Sequence, residues 1–288
     1  MLKAVIFYLN NGTDLKQIHS LFLSLQHNSI RILIMDVNSL TSDTLSSAFQ
    51  RYSLSPPDCV LITDCPKRAK EAGILGLTCI GIMPSATIEG FMTGANCIID
   101  SMHQLDYKSI LEEYNHSHNL PSVITTTSRC VIKELTTEEI PAMYALYQDK
   151  THVRYLPLLG SLTEEIEKHK AYIAHVYNLY RFGLWGVFLK DEERLIGRCG
   201  LQCVDLGKTT EVELAYLIDA SYTKQGFGYE VTNAILQYAR DSLSLTTIIA
   251  RIHKDNLPSI ALARKLGFHR EGAISSEEQW IYRIDFSL

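Results

Sequence analysis

Residues 211–241 read EVELAYLIDASYTKQGFGYEVTNAILQYARD. The first part alternates: Val212, Leu214 and Tyr216 interleave with Glu211, Glu213 and Ala215, the period of a half-buried strand. Asp219, Ala220 and Ser221 break that period, and Gln225-Gly226-Phe227-Gly228 follows. Val231, Ile235, Tyr238 and Ala239 then recur at helical spacing. A strand therefore runs through a glycine turn into a helix. The first N–H groups of a helix have no partner inside it, and the helix dipole adds partial positive charge there. Gly226 and Gly228 let the main chain turn sharply and let a ligand come close to it. Together these features predict a phosphate or pyrophosphate site made of peptide nitrogen.

Further along, Ile248-Ile249-Ala250-Arg251-Ile252 reads as a strand, and His253 to Ser259 lead into a helix that ends at Lys265-Leu266-Gly267-Phe268. Upstream, Gly183 to Val187 and Leu195 to Gly200 read as paired strands. In this order the parts resemble the GNAT superfamily of acyl-CoA N-acyltransferases, over residues 129–288, closest to the branch with ribosomal-protein and small-molecule N-acetyltransferases. Gln225, Gly226 and Gly228 match its pyrophosphate loop; Asn256, Ser259, Lys265, Gly267 and Phe268 match its second motif. The resemblance implies a mixed α+β sheet and acetyl-CoA as cosubstrate, with no metal. It also implies that the backbone at Gln225, Gly226, Phe227, Gly228, Tyr229 and Glu230 wraps the pyrophosphate. Leu217 and Ile218 would pair with the pantetheine arm, and Asn256, beside Ser259, would hydrogen-bond it from the opposite side.

Acyl transfer needs a deprotonated amine. Glu213 is the candidate base, with Glu211 two residues away on the same strand face. Two neighbouring carboxylates would push one pKa upward, as a base near neutral pH requires; the alternative is that one or both face solvent. The tyrosine that many relatives carry before the Lys-Leu-Gly-Phe run is replaced by Ala263. Tyr222, Tyr229 and Tyr282 are substitutes that the sequence does not rank.

Before residue 121 the pattern changes. Short apolar runs at Ala4–Phe7, Arg31–Met35, Cys59–Asp64, Cys79–Ile82 and Cys97–Asp100 alternate with helical patterns, among them Leu45 to Tyr52 and Lys67 to a stop at Gly73. This predicts a doubly wound parallel sheet. Residues 1–110 resemble the haloacid dehalogenase-like phosphohydrolases. That family needs an aspartate nucleophile after the first strand and a second acid two residues on. Here those positions are Tyr8 and Asn10, a phenol and an amide. Asp64 alone makes a poor magnesium site and could equally cap the next helix; Asp36 matches no family position. The expectation is a scaffold without phosphatase chemistry. The polar histidine-bearing stretch around His116 and His118 reads as a linker or a fraying helix end. The expected α/β organisation is a 1–120 Rossmann-like domain, a 121–128 linker (PSVITTTS) and a 129–288 transferase domain.

Composition sets the remaining bounds. The 288 residues are 46% hydrophobic and 20% charged, enough for two globular cores. A net charge of −5 gives no footprint for nucleic acid, and no apolar run is long enough to span a bilayer. Seven cysteines with no CxxC pair argue against a disulfide framework or a zinc site and suit a cytoplasmic protein. The expected partner is a small-molecule or peptide amine acceptor, with no membrane; a homo-oligomer stays open. Two other readings remain: a non-catalytic acyl-CoA-binding protein, from the absent tyrosine, and a phosphatase through the N-terminal half, disfavoured by Tyr8 and Asn10.

Overall fold

The computed structural model describes residues 1–9, 18–35, 45–83, 91–148, 154–177, 180–207, 209–274 and 278–286. The chain divides into two compact units, Met1–Leu120 and Pro121–Leu288.

In the first unit, β1 (Ala4–Tyr8), β2 (Arg31–Met35), β3 (Cys59–Thr63), β4 (Thr78–Ile82) and β5 (Cys97–Ile99) pair in the order β2-β1-β3-β4-β5. Every pairing is parallel. Helices α1 (His19–His27) and α4 (Tyr107–Ser117) cover one face, where Leu21, Leu25 and Ile110 meet Val5, Phe7, Val60 and Ile80. Helices α2 (Leu45–Tyr52) and α3 (Pro66–Leu75) cover the other, where Leu45, Phe49, Ala69 and Ala72 meet Ala4, Ile6 and Leu61. Burial on both faces is why β1 and β3 read as unbroken apolar runs.

Several local expectations are corrected. Helix α3 does not stop at Gly73: it runs to Leu75, and Gly76, at φ 66°, is the C-cap. Gly73 serves packing, since a Cβ there would lie 2.9 Å from the Gly94 Cα. Nor does Asp64 cap α3, whose N-cap is Cys65 with no capping side chain; the Cys65 N–H donates to Thr63 Oγ1. The histidine-bearing stretch is a helix end, one of its two expected readings, and not a linker: His116 lies in the last turn of α4, which a reciprocal Asp106–Ser109 capping box opens, and His118, the C-cap, stacks on Tyr114 at 4.2 Å. Tyr8 is buried, with the Arg68 guanidinium 4.7 Å from its ring centroid. Asn10 and Asp36 lie outside the described residues.

The second unit is built on an eight-stranded sheet. Its strands are β6 (Val123–Thr126), β7 (Cys130–Lys133), β8 (Leu184–Leu189), β9 (Leu195–Asp205), β10 (Thr210–Ile218), β11 (Thr247–His253), β12 (His269–Ile274) and β13 (Gln279–Asp285), in the order β12-β13-β11-β10-β9-β8-β7-β6. The stretch expected to link domains thus supplies an edge strand, because Val123, Thr125 and Thr126 pair with β7. Helices α7 (Phe227–Asp241) and α8 (Leu257–Lys265) pack Val231, Ile235, Ala239, Ile260 and Ala263 on one face, against Trp185, Cys199, Leu201, Leu214 and Ile218. The opposite face is met by α5 (Ile140–Leu146) and α6 (Leu162–Tyr172) around Leu135, Ile140, Met143 and Phe188. Helix α5 opens at Ile140, and Glu139 before it turns back to accept from the Thr136 N–H and hydroxyl. Helix α6 leaves α geometry after Tyr172, and Ile173–Tyr177 is a π turn.

Behind β7, Glu134 is buried and its Oε2 accepts from the Ser122 N–H at 3.0 Å. Burial pushes its carboxyl up to about 7, against the opposing pull of that hydrogen bond. A carboxyl raised in the folded state keeps its proton where the unfolded chain has lost it. Stability therefore falls as pH rises from the unfolded value towards 7, by roughly 3 kcal/mol, and is flat above. Denaturant titrations at pH 5 and pH 8 should show wild type losing that much relative to Glu134→Gln; parallel losses in both proteins would refute the account.

Candidate active site

Among the described residues, strands β10 and β11 form the one parallel pairing of the second sheet, and its register contains a single pair, Glu213↔Ile249. Beyond that pair the strands fork. Continued pairing would give the Arg251 N–H to a β10 carbonyl; it donates instead to Glu213 Oε1 at 3.1 Å. On the other edge of β10 the ladder with β9 is unbroken through Ile218↔Gly197, and the Asp219 N–H donates to Ile196 O. Strand alternation then commits the main chain of Leu217 to β9 and turns that of Tyr216 and Ile218 into the fork. Of the two residues expected to meet a pantetheine arm, Ile218 turns its main chain into the fork and Leu217 turns its own towards β9.

The fork opens where β10 and β11 end, and the glycine turn lies beyond β10. Lys224 (φ 58°) and Gly226 (φ 86°) are both left-handed, and Gly226 is the N-cap of α7. No hydrogen bond joins the N–H groups of Gly226, Phe227, Gly228 or Tyr229 to another described residue. The turn is held from behind. Arg129 donates to Gln225 O at 3.2 Å and to Glu230 Oε2 at 2.8 Å, with its guanidinium 3.7 Å from the Phe227 ring centroid. Ser128 Oγ and the Arg129 N–H donate to Glu230 Oε1. Burial opposes the Glu230 charge, but hydrogen bonds from Thr127, Arg129 and Ser128 outweigh it and hold the carboxyl down at about 2. Glu230 is thus a brace for the turn, facing β6–β7. Arg129 was not singled out in the sequence; a lone arginine before a strand carries no signal there.

Across the fork, Asn256 caps α8, accepting from the Ser259 N–H at 3.3 Å. Tyr216 on β10 donates its hydroxyl to Ser259 Oγ at 2.9 Å. Burial pushes the Tyr216 phenol up to about 12, with the Ser259 bond acting the other way, so it stays protonated. With Tyr216 donating, the Ser259 proton is left to point elsewhere. Of the three tyrosines considered as acids, Tyr282 is fully buried, Tyr222 packs edge-on against Phe227, and Tyr229 lies under Lys265 Nζ at 4.3 Å. None of those contacts places a hydroxyl in the fork; Tyr216 and Ser259 are the pair that bridges it.

The carboxylates also differ from expectation. Glu213 is buried and accepts four hydrogen bonds: from the Arg251 N–H, Arg251 Nε at 2.9 Å, Arg251 Nη2 at 3.0 Å and Gln202 Nε2 at 2.8 Å. A carboxylate has about four lone-pair directions, so none is left to take a proton from an amine. Glu211 pairs with Arg283 at 3.3 Å. Each carboxylate thus faces an arginine instead of its neighbour. No group of three or more His, Cys, Asp or Glu among the described residues is placed to hold a metal ion. Among the same residues, no helix is long and apolar enough to cross a membrane.

A forked parallel pair, a glycine turn with unpartnered N–H groups, and a capped helix across the gap define an acyltransferase-type fold and site. The chain belongs to the GNAT N-acetyltransferases: residues 129–269 match the acetyltransferase (GNAT) domain family. It is 31% identical over 147 residues to the uncharacterized N-acetyltransferase YnaD of Bacillus subtilis (strain 168), covering 51% of this chain and 83% of that protein. It is 28% identical over 162 residues to the uncharacterized N-acetyltransferase YoaA of the same organism, covering 56% and 89%. The fold is shared with a solved RimL, a ribosomal L7/L12 alpha-N-protein acetyltransferase in complex with coenzyme A, at TM-score 0.50 and 16% identity over 57% of this chain and 98% of that one.

Proposed function

We propose that this N-acetyltransferase takes its acetyl group from acetyl-CoA and passes it to a primary amine of a small molecule or peptide. The observation that carries the reading is the β10–β11 fork opening beside the unpartnered N–H groups of Gly226 to Tyr229. Those groups and the α7 dipole suit a diphosphate. The Ile218 main chain and the Asn256 amide would then guide the arm, while Leu217, Gln225 and Glu230 shape the walls.

The amine nitrogen attacks the thioester carbonyl carbon, a C–N bond forms, the C–S bond breaks, and the amine's surplus proton leaves with solvent. The departing thiolate needs a hydrogen-bond donor and finally a proton. Ser259 is placed to donate and Tyr216 to orient it. Glu213 is read as a pin at the apex of the fork.

Calorimetry with coenzyme A, followed by thiol release from acetyl-CoA over an amine panel, tests the reading; absence of both heat and thiol would end it. Within it, Ser259→Ala should lower kcat about 30-fold and Tyr216→Phe about 10-fold, with the double variant no worse than Ser259→Ala, because the two hydroxyls act as one unit. Additive losses in a rapid-quench comparison would break the relay.

For the first unit we propose a haloacid dehalogenase-like scaffold (residues 1–120) without phosphatase activity, retained for docking or stability. The buried Tyr8 at the nucleophile position supports this. Unpaired cysteines, Cys199 and Cys203 among them, suit a reducing cytoplasm.

A further inference from the structure

Among the described residues, Arg198 is a cation with no carboxylate beside it. It lies on β9 opposite Leu217, on the sheet face that carries Gln202 and Glu213 and lies away from α7. The Tyr147 hydroxyl hydrogen-bonds the guanidinium, the phenols of Tyr172 and Tyr177 interact with it electrostatically, and its guanidinium carbon is 5.9 Å from the Tyr172 ring centroid. His169, buried and bonded to Leu135 O at 2.7 Å, completes the surround. Glu165 feels its field, but the Glu165 Oε1 accepts from the Gly160 N–H and Lys168 Nζ. No carboxylate among the described residues comes within ion-pair distance of Arg198, and its Nε is sealed from solvent with no hydrogen-bond partner.

Every other arginine that borders the fork is matched: Arg251 by Glu213, Arg283 by Glu211 and Glu271, Arg129 by Glu230. A guanidinium is charged at any working pH, and holding it half-buried without an anion is unfavourable. Aromatic faces offset part of that cost. The remainder is what an incoming anion would recover, and a planar fork of donors fits a carboxylate bidentately.

We propose that Arg198 binds the carboxylate of the acceptor, so that the substrate is an amino-acid-type amine. The inference rests on the acetyl-CoA reading above. Distance limits the substrate further. Paired residues on adjacent strands are roughly 5.5 Å apart, and Ile218 at the fork is the residue after Leu217. Amine and carboxylate must then be separated by only a few bonds, which a free amino acid satisfies.

The test pairs each amino acid with its own carboxamide as acceptor, in wild type and in Arg198→Met and Arg198→Lys. At least one acid should exceed its carboxamide in kcat/KM by about 100-fold, the scale of a buried charge pair. In Arg198→Met that ratio should fall to near one, while heat with coenzyme A still reports a folded site; Arg198→Lys should keep part of it. The same acids should raise the Tm of the wild-type coenzyme A complex. Carboxamides used as well as acids, a ratio that survives in Arg198→Met, or no acid raising the Tm would each overturn the assignment. Coenzyme A binding with turnover of uncharged amines would remove Arg198 alone; no heat and no thiol with any amine would remove the transferase reading beneath it.

Discussion

Gly226→Val is expected to weaken coenzyme A binding by about 100-fold while leaving the second unit folded. Gly226 sits at φ 86°, and a β-branched residue there is strained by about 1–3 kcal/mol. Its N–H is one of the unpartnered donors of the turn, and a Cβ there would meet the Arg129 guanidinium at 3.6 Å, on the side that holds the turn in place. Strain and lost contact together amount to about 3 kcal/mol, which is the hundredfold change. Helix α7 should survive, because Val231, Ile235, Leu236 and Ala239 anchor it from the buried side. Calorimetry with coenzyme A, set beside circular dichroism, reads the two effects separately. Full affinity in a folded Gly226→Val protein would remove the glycine turn from the binding site.

Glu213→Gln separates a pin from a base. If Glu213 holds the fork, the variant leaves the Arg251 guanidinium half-buried without its anion, and stability should fall by about 3 kcal/mol. The low-pH limb of kcat should keep its position, since no proton passes through this carboxylate. A general base would give the reverse: near-native stability with kcat down by orders of magnitude and the pH limb gone. Arg251→Met is the companion change. It strands a buried carboxylate and should cost at least as much, because the Glu213 side chain is only 6% exposed against 24% for Arg251. Denaturant titration and a pH–rate profile on both variants decide the matter.

Much of this was legible without coordinates, for a physical reason. Alternation in residues 211–218, the glycines at the turn and the apolar stripe of Val231, Ile235 and Ala239 are local signals, and they gave β10, the turn and α7. The unbroken apolar runs of β1 and β3 likewise marked strands covered on both faces. Where local signals competed, reading failed. Gly73 resembled a helix stop, but its lack of a Cβ serves the approach of Gly94. The threonine-rich stretch at Val123–Thr126 resembled a linker, but β7 offered it an edge.

By itself the sequence determined that strands alternate with helices, that a strand enters a glycine turn ahead of a helix, and that peptide nitrogen would be offered to an anion there. Periodicity and glycine placement act within a few residues, so they survive in the linear text. Which carboxylate is neutralised was decided only by tertiary structure: Glu213 meets Arg251 across 38 residues of chain and Glu211 meets Arg283 across 72. So was which arginine is left over, since among the described residues Arg198 becomes conspicuous only once Arg251, Arg283 and Arg129 are seen with their carboxylates. A side chain's chemistry is set by what lies within about 4 Å of it, and folding brings those neighbours from distant parts of the chain.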